Sequence, residues 1–133
     1  MTASQYTATN STGLEPTSDI GGGQDVGWIT GSSWLEYADV DFGAGLTGSV
    51  QARIASPVQG SDIGSIQFRL DSLTATAFAT IQVNGTGAWQ DWVTSPDVTA
   101  SPIPSGTHTL YVTFANSDGG GGDFVNLNWF TVG

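Results

Sequence analysis

Short stretches of this chain alternate apolar and polar residues with a period of two. Val50, Ala52 and Ile54 share one face of "SVQARIAS" (49–56), with Gln51 and Arg53 on the other. "SIQFRLDS" (65–72) repeats the pattern through Ile66, Phe68 and Leu70. "TIQVNG" (80–85) does so through Ile81 and Val83, "HTLYVTFAN" (108–116) through Leu110, Val112 and Phe114, and "FVNLNWFTV" (124–132) through Val125, Leu127 and Trp129. "SWLEYADVDF" (33–42) and the shorter "DVGWIT" (25–30) are further candidates. Period two bounded by Gly, Pro, Asn and Asp is the signature of half-buried strands. No segment carries a sustained 3.6-residue pattern with caps. Glycine clusters at 21–23 and 119–122 and "SPIPSG" (101–106) read as loops. The expectation is an all-β chain, a single-domain sandwich or barrel over residues 1–133.

Composition narrows the partners. The chain has twelve acids, two arginines (Arg53 and Arg69), no lysine and a net charge of −10. Nucleic acid needs a basic footprint, and an anionic membrane or polymer would be repelled, so a neutral partner or a cation is favoured. No apolar run approaches the roughly 20 residues that span a bilayer. Without cysteine there is no disulfide, thiolate ligand or thiol nucleophile. With 38% hydrophobic and 11% aromatic residues the chain can pack a core despite its glycine content. Met1-Thr-Ala-Ser reads as the start of an excised piece, with a leader or neighbouring domain expected beyond it.

Catalytic signatures are sparse. The one histidine, His108, stands at a strand start with no nucleophile motif nearby, which reads as a surface residue. "DGGGGD" (118–123) lacks the lysine of a phosphate loop and the stepped oxygens of an EF-hand. A glycoside hydrolase needs two carboxylates across a cleft. Glu15 paired with an aspartate would be the candidate, because Glu36 lies inside a strand pattern.

The five tryptophans are more informative than the acids. A sandwich core can use two or three of them. In "TGAWQDWV" (86–93), Trp89 and Trp92 are three apart, so in a strand one would face inward and one outward. If Val125, Leu127 and Trp129 are core, Asn126 and Asn128 face out or into a cleft. An exposed ring stacks on the apolar face of a pyranose while amides bond its hydroxyls. The alternative is that all five rings pack inside.

In chain order, "GLEPTSDIGGGQDVGWI" (13–29), "WLEYADVDF" (34–42), "ARIAS" (52–56), "IQFRLDS" (66–72), "TGAWQDWV" (86–93), "GTHTLYVTF" (106–114) and "VNLNWF" (125–130) resemble the family 6 carbohydrate-binding modules. The resemblance implies a β-sandwich of jelly-roll topology with about eleven strands and no catalytic activity. It implies a single module from a larger secreted polysaccharide-degrading enzyme, monomeric, with a covalently attached catalytic domain as neighbour. Its ligand would be a neutral β-linked polysaccharide such as laminarin or xylan, held in a loop cleft. By that resemblance Trp28 and Trp89 clamp a sugar ring, Asn126 bonds its hydroxyls, Glu15 contacts an adjacent or terminal sugar, and Trp92 belongs to the core. Two alternatives stand beside it: the small hydrolase, and a docking sandwich with no glycan ligand.

The N-terminus departs from the family. Acids that help hold a structural Ca2+ in relatives are replaced here by Thr2 and Ser4 in "TASQY" (2–6). Carbonyls after Asp19 and the side chain of Asn128 remain as possible ligands, so calcium is expected to bind weakly if at all.

Overall fold

The computed structural model describes all 133 residues. A short 3-10 turn, Ala3–Gln5, precedes eleven strands: β1 Ala8–Asn10, β2 Gly13–Pro16, β3 Gln24–Ile29, β4 Trp34–Asp41, β5 Ser49–Ala55, β6 Gly64–Leu70, β7 Ala79–Val83, β8 Val93–Thr94, β9 Val98–Thr99, β10 Thr107–Asn116 and β11 Val125–Val132. Two antiparallel sheets face each other as a jelly-roll sandwich. One runs β1-β4-β10-β6-β7. The other runs β2-β3-β11-β5-β8, with β9 also paired to β5. All seven alternating stretches are strands. The four that alternation did not mark, β1, β2, β8 and β9, have two to four residues each, too few to show a period.

The core lies where the alternation puts it. Val50, Ala52, Ile54, Ile66, Phe68, Ile81, Val83, Leu110, Val112 and Phe114 are buried between the sheets. Leu70, at the end of its strand, is only partly covered. Phe130 packs against Tyr37 and Phe68 with ring centroids 5.3 and 5.4 Å apart. No tryptophan belongs to the core.

This corrects two expectations. Trp129 does not continue the inward row of Val125 and Leu127. Between Leu127, opposite Ile54, and Trp129, opposite Arg53, β11 holds one residue more than β5. That bulge at Asn128 reverses the alternation, so Phe130 turns inward and Trp129 is half-buried on the other face. Trp92 is not core either. Residues 84–92 form a turn-rich connection rather than a strand, so period two does not govern them. Trp92 is half-buried, and its indole N–H donates to Gln90 Oε1 at 3.2 Å.

The loop after β2 is pinned to the second sheet by a bidentate ion pair. Arg53 Nη2 and Nε donate to the two Asp19 oxygens at 2.9 and 3.0 Å, and Asn128 Nδ2 donates to Asp19 Oδ2 at 2.9 Å. The hydrogen bonds and charge of Arg53 hold the Asp19 carboxyl down to about 2. A carboxyl with a depressed folded-state value contributes stability above its unfolded value and loses it as pH falls. This contribution should therefore be complete above about pH 4 and vanish between about pH 4 and pH 2. Acid melts of wild type and Asp19→Asn check it, because their Tm difference should close over that window. In the core, Phe130→Ala should cost about 3–5 kcal/mol, the range for a truncated buried aromatic. Trp92→Ala should cost about 1 kcal/mol, as for residues outside the core. Urea melts of the two variants read that contrast directly.

Candidate functional site

At one end of the sandwich a cleft of about 210 Å3 is lined by Glu15, Trp28, Trp89, Gln90, Asp123 and Asn126. All four residues singled out for ligand contact from the sequence thus meet in one cavity, contributed by β2, β3, β11 and the β7–β8 connection.

Trp28 reaches the cleft because β3 breaks its own alternation. Val26 pairs with Leu127 and Ile29 with Val125, so three steps along β3 match two along β11. The extra residue sits at Gly27–Trp28, where Trp28 takes φ 54°. A left-handed conformation in a bulky residue is strained by on the order of 1–3 kcal/mol, and such strain gathers at functional sites. Here it turns the indole out of the sheet, leaving it 53% exposed between buried Gly27 and Ile29. The ring lies over the backbone of β2, such that a methyl on Gly13 would come within 2.8 Å of Trp28 Cε3.

Trp89 is placed by the connection itself. Ser56, at the end of β5, accepts from the backbone N–H groups of Thr86 and Gly87 at 2.8 and 3.1 Å. Thr86 Oγ1 accepts from Ser56 N at 2.9 Å. Gly87, at φ 113°, makes a bend that other residues rarely adopt. The Thr-Gly pair of "TGAWQDWV" therefore anchors and turns the loop. Beyond it, Trp89 is 39% exposed in the cleft.

Asn126 and Glu15 form the floor. Asn126 is nearly buried, and its Nδ2 donates to the Trp89 carbonyl at 2.7 Å and to Glu15 Oε1 at 3.1 Å. Both amide hydrogens are spent inside the protein, which leaves Oδ1 to accept. A Cβ on Gly27 would crowd this oxygen at 3.1 Å and Glu15 Oε1 at 3.3 Å, so glycine keeps the floor open.

Three residues that the sequence does not single out for ligand contact complete the site. Gln90 is a hub. Its Nε2 donates to Glu15 Oε1 at 3.2 Å and to Asp25 Oδ2 at 3.0 Å, while its Oε1 accepts from Ser18 N at 2.8 Å and from the Trp92 indole. Its place beside Trp89 in the motif was a usable signal. Asp25 is fully buried behind the floor, and nothing in "DVGWIT" marked it. Asp123, in the exposed glycine loop, stands at the rim.

The remaining expectations fall elsewhere. Asn128 lies outside the cleft with its amide nitrogen on Asp19. The residues present do not fit a calcium site there. Asp19 gives both oxygens to Arg53, Thr2 and Ser4 bring no charge, and no three His, Cys, Asp or Glu side chains converge anywhere in the chain. Glu36 accepts from the Tyr111 hydroxyl at 2.8 Å, far from the cleft in the other sheet. His108 bridges Asp71 and the Ser105 carbonyl at the surface, 2.8 Å to each. No helix is long and apolar enough to cross a membrane.

Known proteins place this architecture. The sequence profile described as carbohydrate binding module (family 6) matches residues 2–133. A β-1,3-glucan binding module of that family from Bacillus halodurans superposes with a TM-score of 0.86 at 35% identity, covering 98% of this chain and 92% of the other. A family 6 module from Clostridium cellulolyticum in complex with xylose gives 0.84 at 37% identity, covering 98% and 93%. Endo-1,4-beta-xylanase A of Thermoclostridium stercorarium is 34% identical over 113 residues, which are 85% of this chain but 21% of the xylanase. This chain thus spans about one fifth of the length of such curated relatives. The family is one of non-catalytic binding modules, and from its profile, fold and sequence this chain is a family 6 carbohydrate-binding module.

Proposed function

We propose that the cleft grips one pyranose of a neutral β-linked polysaccharide, a β-glucan such as laminarin or a xylan, between the Trp28 and Trp89 rings. The observation that carries this reading is the pair of exposed indoles converging over a polar floor in one cleft. The ligands of the two similar modules, a β-1,3-glucan and xylose, support the substrate class. The floor has acceptors to spare. Asn126 Oδ1 takes no hydrogen bond within the protein, and Glu15 receives its amide donors on Oε1 alone. Both unused oxygens suit sugar hydroxyls, which can donate. A net charge of −10 would repel an acidic polymer but not a neutral one.

Each stacked face contributes on the order of 1 kcal/mol beyond burial, and each net hydrogen bond about 0.5–1.5 kcal/mol, giving affinities near micromolar to millimolar. Binding without turnover is the chemistry this site offers. Glu15 is tied into the floor through Oε1 and the family is one of non-catalytic binding modules, so the domain itself is read as no enzyme. In that reading it is a monomeric module of a longer secreted chain, keeping an attached polysaccharide-degrading domain at its substrate.

Isothermal titration of laminarin, xylan, cellulose and agarose oligosaccharides tests the clamp. Wild type should bind at least one. Trp89→Ala should weaken that binding by at least about fivefold, the equivalent of the stacking lost from one face, at unchanged Tm. Gly13→Ala, whose new methyl displaces the Trp28 ring, should also weaken it. Undiminished binding by Trp89→Ala would sink the clamp, and sugar release by the isolated domain would favour the hydrolase. Because the N-terminal residues do not fit calcium, EDTA should leave Tm unchanged. A Tm lowered by EDTA and restored by Ca2+ would reveal an ion bound to the native state.

A further inference from the structure

We propose that Asp25 is a positioning residue that works in its protonated form, donating from its carboxyl to Glu15 across β2 and β3 and so setting how Glu15 faces the ligand. This rests on the reading of the cleft given above. Asp25 and Glu15 stand directly opposite each other in the register of the two strands. Asp25 is fully buried, and its Oδ1 is the chain's single buried side-chain polar atom with no partner. An ionised carboxylate can only accept, and leaving a buried one short of partners is unfavourable. A proton on Oδ1 makes the orphan a donor, and the Glu15 carboxylate is the acceptor beside it.

Among the amide donors the count closes. Gln90 Nε2 has two hydrogens for two acceptors, Glu15 Oε1 and Asp25 Oδ2. Asn126 Nδ2 has two for Glu15 Oε1 and the Trp89 carbonyl. The hydrogen missing between the two carboxyls is the one Asp25 would carry. Without it, two charges face each other across the edge strand that carries Glu15, and Gln90 couples that strand to the Trp89 loop.

The surroundings supply no compensating cation. The charged group acting on Asp25 is Glu15 from β2, while Thr17 and Gln90 beside it do not titrate. On β11 the nearby side chains are the neutral Asn126 and Asn128, and beyond Asn128 the Arg53–Asp19 pair neutralises itself. Burial first, and then the Glu15 contact and charge, push Asp25 up to about 7, against the opposing hydrogen bonds of Gln90 and Thr17. A carboxyl with a raised folded-state value loses stability as pH rises from its unfolded value to its folded one, here from about 4 to about 7. His108, raised by the Ser105 carbonyl and Asp71, adds a loss of the same sign near neutrality. Melting curves alone would therefore mix the two.

The experiment combines carboxyl 13C NMR of Asp25 from pH 4 to 9 with titration of laminarihexaose at pH 5.5 and 8.5 into wild type, Asp25→Asn and Asp25→Ala. Asp25 should titrate near 7. Wild-type affinity should fall about tenfold between the two pH values, equivalent to about one unit of differential protonation. Asp25→Asn, which keeps a donor and an acceptor but cannot ionise, should hold its own affinity within about twofold across them and exceed Asp25→Ala at pH 5.5. Titration of Asp25 near 4, or an equal pH dependence in Asp25→Asn, would overturn the proposal. If no variant binds laminarihexaose at any pH, the cleft reading fails for this glucan, and the NMR midpoint still decides whether Asp25 keeps its proton.

Discussion

A strand sends every second side chain to the same face, so a sheet packed on a core has no ready way to aim a large ring at a loop cleft beside it. This module breaks that constraint at two neighbouring points. The bulge at Gly27–Trp28 turns one indole outward between buried neighbours. The bulge at Asn128 lets Phe130 rather than Trp129 fill the core. The strands on either side keep their alternation, so the sandwich tolerates both departures. The strain at Trp28 is local, and the cores of β5, β6 and β10 hold the sheets that carry it.

The polar chemistry of the cleft divides into parts that are closed and parts that are open. The amides of Gln90 and Asn126 spend their hydrogens on the protein, tying together the edge strand β2, the strand β3 and the Trp89 loop. What stays open are acceptor oxygens and aromatic faces. A pre-set floor of this kind limits how much must be ordered when a ligand arrives, which is where much of the free energy of association is lost. No Lys, Arg or His lines the cleft, in keeping with the acidic character of the domain.

The fold was legible because burial on one face imposes period two over five or more residues, and each of the seven such stretches is a strand. The two-residue strands β8 and β9 could not show a period. The resemblance sets Trp92 in the core and alternation sets Trp129 there. Residues 84–92 form a turn and residue 128 a bulge, and neither leaves a mark in the hydrophobic pattern. Of the cleft, Glu15, Trp28, Trp89 and Asn126 are marked by the quoted motifs. Asp25 is not, since a buried carboxyl looks like any polar residue until the strand opposite is known. Gln90 was in plain sight beside Trp89, but its value lies in four contacts that only the folded chain assembles.

The five indole N–H groups offer a direct view of the central claim, since each tryptophan sits in a different place: two in the cleft, Trp34 against Tyr111 on the opposite sheet, Trp92 on Gln90 and Trp129 beside the N-terminal segment. Titrating laminarihexaose or xylohexaose into 15N-labelled protein and following these five resonances reads where sugar lands. The account predicts that Trp28 and Trp89 shift most, with Trp34 and Trp129 still. Shifts centred on Trp34, with Trp28 and Trp89 unmoved, would contradict it.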